Sequence, residues 1–527
     1  MRAGGDVFAL GISLSFWGRY SSFSGLVHKV AVASAKYELT FVLLLCLLAA
    51  GRIFIFSATF PFCNVVDEQT HFDLVVRYSQ GDFPRSMGPP CAEALPFLAI
   101  FDDVEYLWPP ESQPGGQIPT PTWKLPNSVA FEVLRSKEAF YKTKMVNLEA
   151  ANPPLYYAAA GAWWRLGKLL GLDGGQLIYW LRFLNVPLFA SVVWLAWLAT
   201  RICFPLDVFI RVAVPAFIAF MPQTAFYAIN NDIFSPLAFG IVFLMLLKFE
   251  ATEIPSLRLA TATGLGLGAV FFTKISNLPL LFIAGIFLAI KFSTLAWRGK
   301  ARPAIAPFMV LAGCTGLMMG AWAAWCKANF GDYTGTALKT RLMGWTPRPF
   351  AEWLHHPIFT PAGFWTFVSG NLATFWQGEI LWHGKPLAIP ALNWFYVLLT
   401  LFLLAMIFVA LLKHPGSFQP RQREQLWLAF GFLAAALGFY ALLSVQFDFH
   451  DCFYPSRAHP FFTSGRLMLG LLIPFMFLFA CGLDRALGKF CPPLKFVVLA
   501  ALLLFMLAME IATDWQIFSN EYNWFHL

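Results

Sequence analysis

The chain has 527 residues, of which 58% are hydrophobic and only 13% charged. An ordinary soluble domain carries about 25% charged residues, and several apolar runs here approach or reach bilayer length. A water-soluble globular protein is thereby excluded, and an all-α polytopic membrane protein is expected. The net charge of +8 does not point to nucleic acid, because the bases sit mostly in short loops between apolar runs.

Residues 1–38 carry Arg2, Arg19, Lys29 and Lys36 ahead of the first apolar run. No small-residue cleavage site follows convincingly, so the sequence predicts an uncleaved, cytoplasmic N-terminal segment. The first span is expected at about 39–60. Directly after it comes Asn64-Val-Val-Asp-Glu-Gln-Thr-His71, which packs Asp67, Glu68 and His71 into five positions. Asn64 is placed to cap a helix, with Asp67 as its capping-box partner. In that helix Asp67 and His71 share a face at i, i+4, as do Glu68 and His71 at i, i+3. Acids at a compartment boundary can take a proton or hold a cation; they also simply favour a helix N-terminus.

The polar section 61–151 holds twelve of the chain's 29 acids against seven bases, which places it outside. Its middle, Pro109 to Pro121, is a loop. Nine cysteines are scattered with no CxxC pair. Most read as small core hydrophobes, while Cys63, Cys91 and Cys452 fall in external loops, where an oxidising compartment would permit a Cys63–Cys91 bridge.

Further spans are expected at about 182–200, 208–229, 232–248, 257–273, 277–292, 303–326, 391–412, 426–446, 464–486 and 495–514. Three basic loops, 291–302, 413–423 and 485–495, are placed inside. Counting back from them leaves 153–170 unable to cross fully, a re-entrant or interfacial helix; the alternative is a full span there and a miscounted span later. A second large external loop then runs over about 327–390, and 515–527 is a C-terminal tail. The whole transmembrane domain covers 39–514, with eleven crossings on this count and a range of about 11–13 transmembrane helices.

With this sidedness the awkward polar residues share one face of the membrane. Asp67, Glu68 and His71 follow the first span. Asn231 and Asp232 open the fourth, and Lys274 lies between two apolar runs. Glu379 and His383 lie in the second external loop, and Arg466 starts the tenth span. Ionisable groups at membrane depth cost about 2.5–3.5 kcal/mol on insertion scales and mark functional sites by default. The set suits group transfer at the membrane surface. A carboxylate can deprotonate an acceptor hydroxyl, Lys and Arg can hold a departing phosphate, and Trp376 and Trp382 can stack on a sugar or lipid. The rival use is a divalent cation, for which Asp, Glu and His are acceptable ligands. Glu68-x-x-His71 lacks the second His of a zincin helix, and no other cofactor is called for.

The run Val66-Asp-Glu-Gln-Thr-His-Phe72, with Arg77-Tyr-Ser-Gln-Gly81 behind it, resembles the opening motif of the bacterial membrane-protein family of domain of unknown function 2142. That family is related to the GT-C-type glycosyltransferases, which use polyprenyl-phosphate sugars. Asn152-Pro-Pro-Leu-Tyr-Tyr157, Asn230-Asn-Asp232, Thr273 to Pro279, Phe375 to Trp382 and Ser464-Gly-Arg-Leu-Met468 follow in the family's order, across about residues 40–490. The chain departs from the pattern at Leu467, where Tyr is expected, and at Asn152, where His or Gln is common.

The resemblance implies a GT-C-like fold in the bacterial inner membrane and an inverting transfer at the periplasmic face. It implies a polyprenyl-phosphate sugar as donor and an envelope glycan, lipid or protein as acceptor. Asp67 becomes the candidate base, with Glu68 second and His71 beside them. Lys274 and Arg466 become donor-phosphate ligands, and Tyr156, Asn231, Asp232, Trp376, Glu379 and His383 line the substrate site. The alternative is a lipid-linked glycan flippase or transporter, which would use the same charged cavity without bond-making.

Overall fold

Apolar segments in lipid must satisfy their backbone groups internally, which favours helices, and the described chain is helical almost throughout. The computed structural model describes residues 37–64, 67–452, 454–488 and 490–524; the N-terminal segment expected at 1–38 lies, up to residue 36, outside them. The helices are α1 (Tyr37–Thr59), α2 (Glu68–Gln80), α3 (Ala94–Phe101), α4 (Asn127–Thr143), α5 (Leu155–Leu169), α6 (Gly174–Arg182), α7 (Asn185–Cys203), α8 (Val208–Ala219) and α9 (Phe234–Ala251). They continue with α10 (Leu257–Thr273), α11 (Leu278–Leu295), α12 (Ala301–Phe330), α13 (Thr336–Leu342), α14 (Pro361–Gln377), α15 (Pro390–Lys413), α16 (Pro420–Gln446), α17 (Leu472–Ala486) and α18 (Pro492–Phe518). Among the described residues, paired strands are limited to two-residue antiparallel pairs, Thr346–Pro347 with Phe447–Asp448 and Leu381–Trp382 with Lys385–Pro386.

Among the described residues, eight stretches are long and apolar enough to cross a membrane. One of them, Ile275–Phe330, turns at Gly299, where a φ of 74° ends α11 and lets α12 begin. Two shorter apolar helices, α8 and α10, complete the set. Helix α5, at fifteen residues, reaches about 22 Å, short of a hydrocarbon core of about 30 Å.

The span expected at 208–229 is cut short. Helix α8 ends at Ala219, and residues 220–233 run as buried irregular backbone with two 3-10 turns. Such backbone survives among apolar helices only when protein groups satisfy it. Asn185 Nδ2 donates to Phe226 O and Ala228 O (3.0 and 2.9 Å), Asn230 Nδ2 to Ala225 O (2.8 Å), and Gln223 Nε2 to Phe375 O (2.7 Å).

Helix α14 lies inside the section expected as an external loop. Thr360 caps it by accepting from Gly363 N (3.1 Å), with Pro361 at its first position, the arrangement that best starts a helix. Of the expected tail, residues 515–524 are described, and they dock on the bundle. Helix α18 runs to Phe518, Tyr522 donates to Pro119 O, and Tyr179 donates to Asn523 Oδ1 (3.0 Å). Cys63, Cys91 and Cys452 are free thiols, so the bridge permitted by the sequence is not made.

The two ends of the bundle differ in chemistry. At one end the three basic loops meet: Lys291 donates to Thr252 O (2.7 Å), Arg485 to Ser417 O (3.2 Å), and Lys495 pairs with Asp484 (2.5 Å). The other end gathers the start of α2, the starts of α9, α11 and α17, and the residues that follow α14.

Candidate functional site

Helix α2 begins at Glu68, not after an Asn64 cap. Asp67 occupies the cap position with φ 65° and makes no side-chain capping bond. Left-handed backbone is uncommon for a non-glycine residue, though Asp tolerates it better than most. The twist separates Asp67 from Glu68 and sends the two carboxylates to different partners.

Glu68 turns inward. It is paired with Arg182 through two bonds (2.8 and 2.7 Å) and accepts from the backbone N–H of Cys63 and Ile229 (both 2.9 Å). The Arg182 guanidinium also donates to Phe60 O and Pro61 O (2.6 and 2.8 Å). Arg182 and Glu68 together tie the end of α1, the start of α2, the end of α6 and the 220–233 section. All four lone pairs of the Glu68 carboxylate are engaged in this tie, apart from the charged groups around Asp67.

Asp67 turns the other way, and its side chain is 41% exposed. Its Oδ2 lies 3.4 Å from Arg466 Nη2. Arg466 Nη1 reaches Asp232 Oδ2 at 2.7 Å, and its Nε reaches Glu379 Oε2 at 3.1 Å. Lys274 Nζ pairs with the other oxygen of Asp232, and Ser464 Oγ donates to Glu379 Oε2 (2.6 Å). Five charged residues from five separate places in the sequence thus form one contiguous centre. Asp232, 1% exposed, is its buried hub, and Asp67 is its most accessible acid.

Local backbone aims each group. Asn230 Oδ1 accepts from Asp232 N (2.9 Å), fixing the turn that starts α9. Lys274 lies in extended backbone where α10 gives way to α11. Gly378 (φ 86°) turns the chain out of α14 toward Glu379, and a Cβ there would overlap Thr224 and Gln223. Gly465 lies against α14: its N–H donates to Thr374 Oγ1 (2.7 Å), and a Cβ would overlap Asn371 O and the backbone of Phe375. Glycine at 465 is what lets Ser464 and Arg466 approach Glu379. Burial pushes the Glu379 carboxyl up, against the opposing pull of Arg466 and Ser464.

His71 does not bond Asp67 or Glu68. Its Nδ1 pairs with Tyr157 OH (2.7 Å), which also accepts from Asn152 Nδ2 (3.0 Å). Asn152 donates to Glu149, and Glu149 pairs with Lys339 of α13 (2.5 Å). Burial brings His71 down to about 4, so the ring is neutral near pH 7. Burial opposes ionisation of Glu149, but Lys339, His71 and Lys274 together hold the carboxyl well below its usual range.

Tyr157, Glu149 and Lys339 were not singled out by the sequence. Only Asn152-Pro-Pro-Leu-Tyr-Tyr157 gave a signal, and it directed attention to Tyr156. Four expected substrate contacts are placed elsewhere. Tyr156 is fully buried between Tyr157 and Phe234. Asn231 is buried and donates to Thr273 O (3.4 Å). Trp376 stacks on Tyr396 in the core and donates to Thr400 (2.9 Å), so no sugar can reach its face. His383 stands in the turn after Trp382, at φ 50°, and its N–H donates to Tyr106 O (3.4 Å). Among the described residues no group of three or more His, Cys, Asp or Glu is arranged to hold a metal ion; the acids bond cationic side chains instead.

These features define a polytopic helical membrane protein with a partly buried ionic centre at one end of its bundle. The family model described as a predicted membrane protein (DUF2142) matches residues 51–449, and the chain belongs to that family. No curated protein matches the chain.

Proposed function

We propose that the protein is an integral-membrane glycosyltransferase of GT-C type, moving a sugar from a polyprenyl-phosphate donor to an acceptor at the outer face of the bacterial inner membrane. The observation that carries this reading is the placement of an accessible carboxylate, Asp67, against Arg466, which the buried hub Asp232 holds together with Lys274. The opposite end of the bundle carries the basic loops, and the positive-inside rule makes that end cytoplasmic.

Asp67 takes the proton of the acceptor hydroxyl. The acceptor oxygen attacks the anomeric carbon, and the bond from that carbon to the donor phosphate oxygen breaks. The polyprenyl phosphate leaves with the electron pair, and the new bond forms with inversion. A guanidinium offers five N–H donors and an ammonium three. Arg466 spends three contacts on Asp67, Asp232 and Glu379, and Lys274 pairs with Asp232. Donors remain for the leaving phosphate. The 3.4 Å contact to Asp67 is the longest of the set, and its displacement by phosphate would free Asp67 as a base. Asp232 keeps both cations aimed, so little reorganisation is needed as charge develops.

Purified Asp67→Asn tests the assignment. It should retain polyprenyl-phosphate sugar by native mass spectrometry while losing turnover by at least 10²-fold, the usual scale for a general base. Turnover equal to that of the unmodified protein would remove Asp67 from the chemistry. Retained lipid with an altered proton dependence of lipid movement, and no bond-making, would favour a transporter.

A further inference from the structure

A cavity of 510 Å³ lies at the far end of α2 and is lined by Arg77, Asp82, Phe83, Arg85, Ser86 and Trp325 among others. No residue of the ionic centre lines it. From Glu68 to Arg77 is nine residues, about 14 Å along the helix, so the two sites are separate.

The charges in this cavity are unequally engaged. Arg77 is already engaged through each of its three nitrogens, with Asp73 (3.2 Å), Asp82 (2.9 Å) and Pro89 O (2.6 Å), and its charge is met by the two carboxylates. Arg85 has no carboxylate partner among the described residues. Its guanidinium lies 5.9 Å from the centroid of the Trp325 ring, an arrangement that holds a cation while leaving its N–H edge free. The exposed Ser86 hydroxyl also has no hydrogen-bond partner among the described residues. The cavity therefore offers unspent donors and an uncompensated positive charge.

Its position fits a lipid. Trp325 lies near the end of α12, whose surface exposes Ile305, Phe308, Met309 and Leu317. An indole near the end of a lipid-facing helix sits at head-group level, and Phe83, 50% exposed, flanks the opening. The volume falls in the small-molecule range of about 300–1,000 Å³. A bare phosphate ion would leave most of it unfilled, whereas a phosphate with its glycerol would not.

We infer that this cavity seats the phosphate head group of an anionic phospholipid, with Arg85 and Ser86 donating to the phosphate and Trp325 packing at glycerol depth. The site does not depend on the transferase reading. The test is native mass spectrometry of the delipidated full-length protein with phosphatidylglycerol, with diacylglycerol, and with phosphatidylglycerol in excess inorganic phosphate. Phosphatidylglycerol should bind and diacylglycerol should not. Arg85→Gln should weaken binding about tenfold, the scale of one hydrogen bond to a charged group, and Arg85→Lys should restore most of it. Should Arg85→Gln fail to fold, Ser86→Ala reports on the same cavity and should weaken binding too. Equal binding by Arg85→Gln, equal binding of diacylglycerol, or full displacement by inorganic phosphate would overturn the proposal, the last by making this a free-anion site.

Discussion

Replacing Glu68 with Gln keeps the shape of the side chain and removes its charge. The Arg182 and Glu68 side chains are 0% and 2% exposed, so the guanidinium would be left buried without its counter-charge. Breaking a buried pair from one side costs about 3–5 kcal/mol. Arg182 keeps its bonds to Ser57 O, Phe60 O and Pro61 O, which places the expected loss near the lower end, about 3 kcal/mol. The oxygen that becomes the amide nitrogen also turns a donor toward one of the two backbone N–H groups, Cys63 or Ile229, which adds to the loss. Asp67→Asn, one residue away, removes a partly exposed contact of 3.4 Å worth about 1 kcal/mol or less. Thermal melts of the two variants in one detergent, read by size-exclusion fluorescence, should therefore separate. Glu68→Gln should melt several degrees lower, while Asp67→Asn stays near the unmodified protein and loses activity. A Glu68→Gln melt within a degree of the unmodified protein would refute the structural role, and so would an Asp67→Asn melt as low as that of Glu68→Gln.

Asp232→Asn should cost about 3–5 kcal/mol, because Lys274 and Arg466 lose their shared acceptor; the double variant Asp232→Asn with Lys274→Met should melt higher than Asp232→Asn alone, and a lower melt would deny that they compete for one group. His71 titrates at about 4 when buried against about 6.5 when unfolded. The unfolded chain therefore binds the extra proton between those values, so the contribution is complete above pH 6.5 and lost as pH falls toward 4. It amounts to about 3 kcal/mol; in His71→Gln the melting temperature should vary less with pH across that window, and an unchanged profile would contradict the assignment. Gly465→Ala should destabilise by about 1–3 kcal/mol through overpacking against α14 and lower activity further by moving Arg466; melts and turnover measured together check both effects.

Much of the centre was legible before any coordinates. Apolar run lengths and loop charges suggest which ends of helices share a side, and that grouped Asp67, Asp232, Lys274, Glu379 and Arg466, together with Glu68, His71, Asn231 and His383, which bond other partners. The contacts among the first five follow from a property that the sequence carries linearly. The partners of Glu68 and Glu149 do not: Arg182 is 114 positions from Glu68, and Lys339 is 190 from Glu149. Arg182 stands at the start of an expected span and Lys339 inside an expected loop, and neither position points to so distant a partner. The fate of Trp376 was hidden for a related reason. An aromatic beside polar residues reads the same whether it faces a substrate or stacks on Tyr396, and only the packing of α14 against α15 decides. Helix α14 itself was masked by Gly363, Gly370 and Asn371, which read as loop until Gly363 and Asn371 are seen packed on neighbouring chain.

The measurement that bears most directly on the central claim is turnover of the donor. The full-length protein would be reconstituted in liposomes with polyprenyl-phosphate sugars extracted from bacterial membranes, supplied with envelope glycans as acceptors, and followed by mass spectrometry. The account predicts release of polyprenyl phosphate by the unmodified protein, and none above background by Asp67→Asn or Arg466→Gln. Release at the same rate by all three proteins would contradict it, as would sugar-bearing lipid moved across the bilayer with its phosphate bond intact.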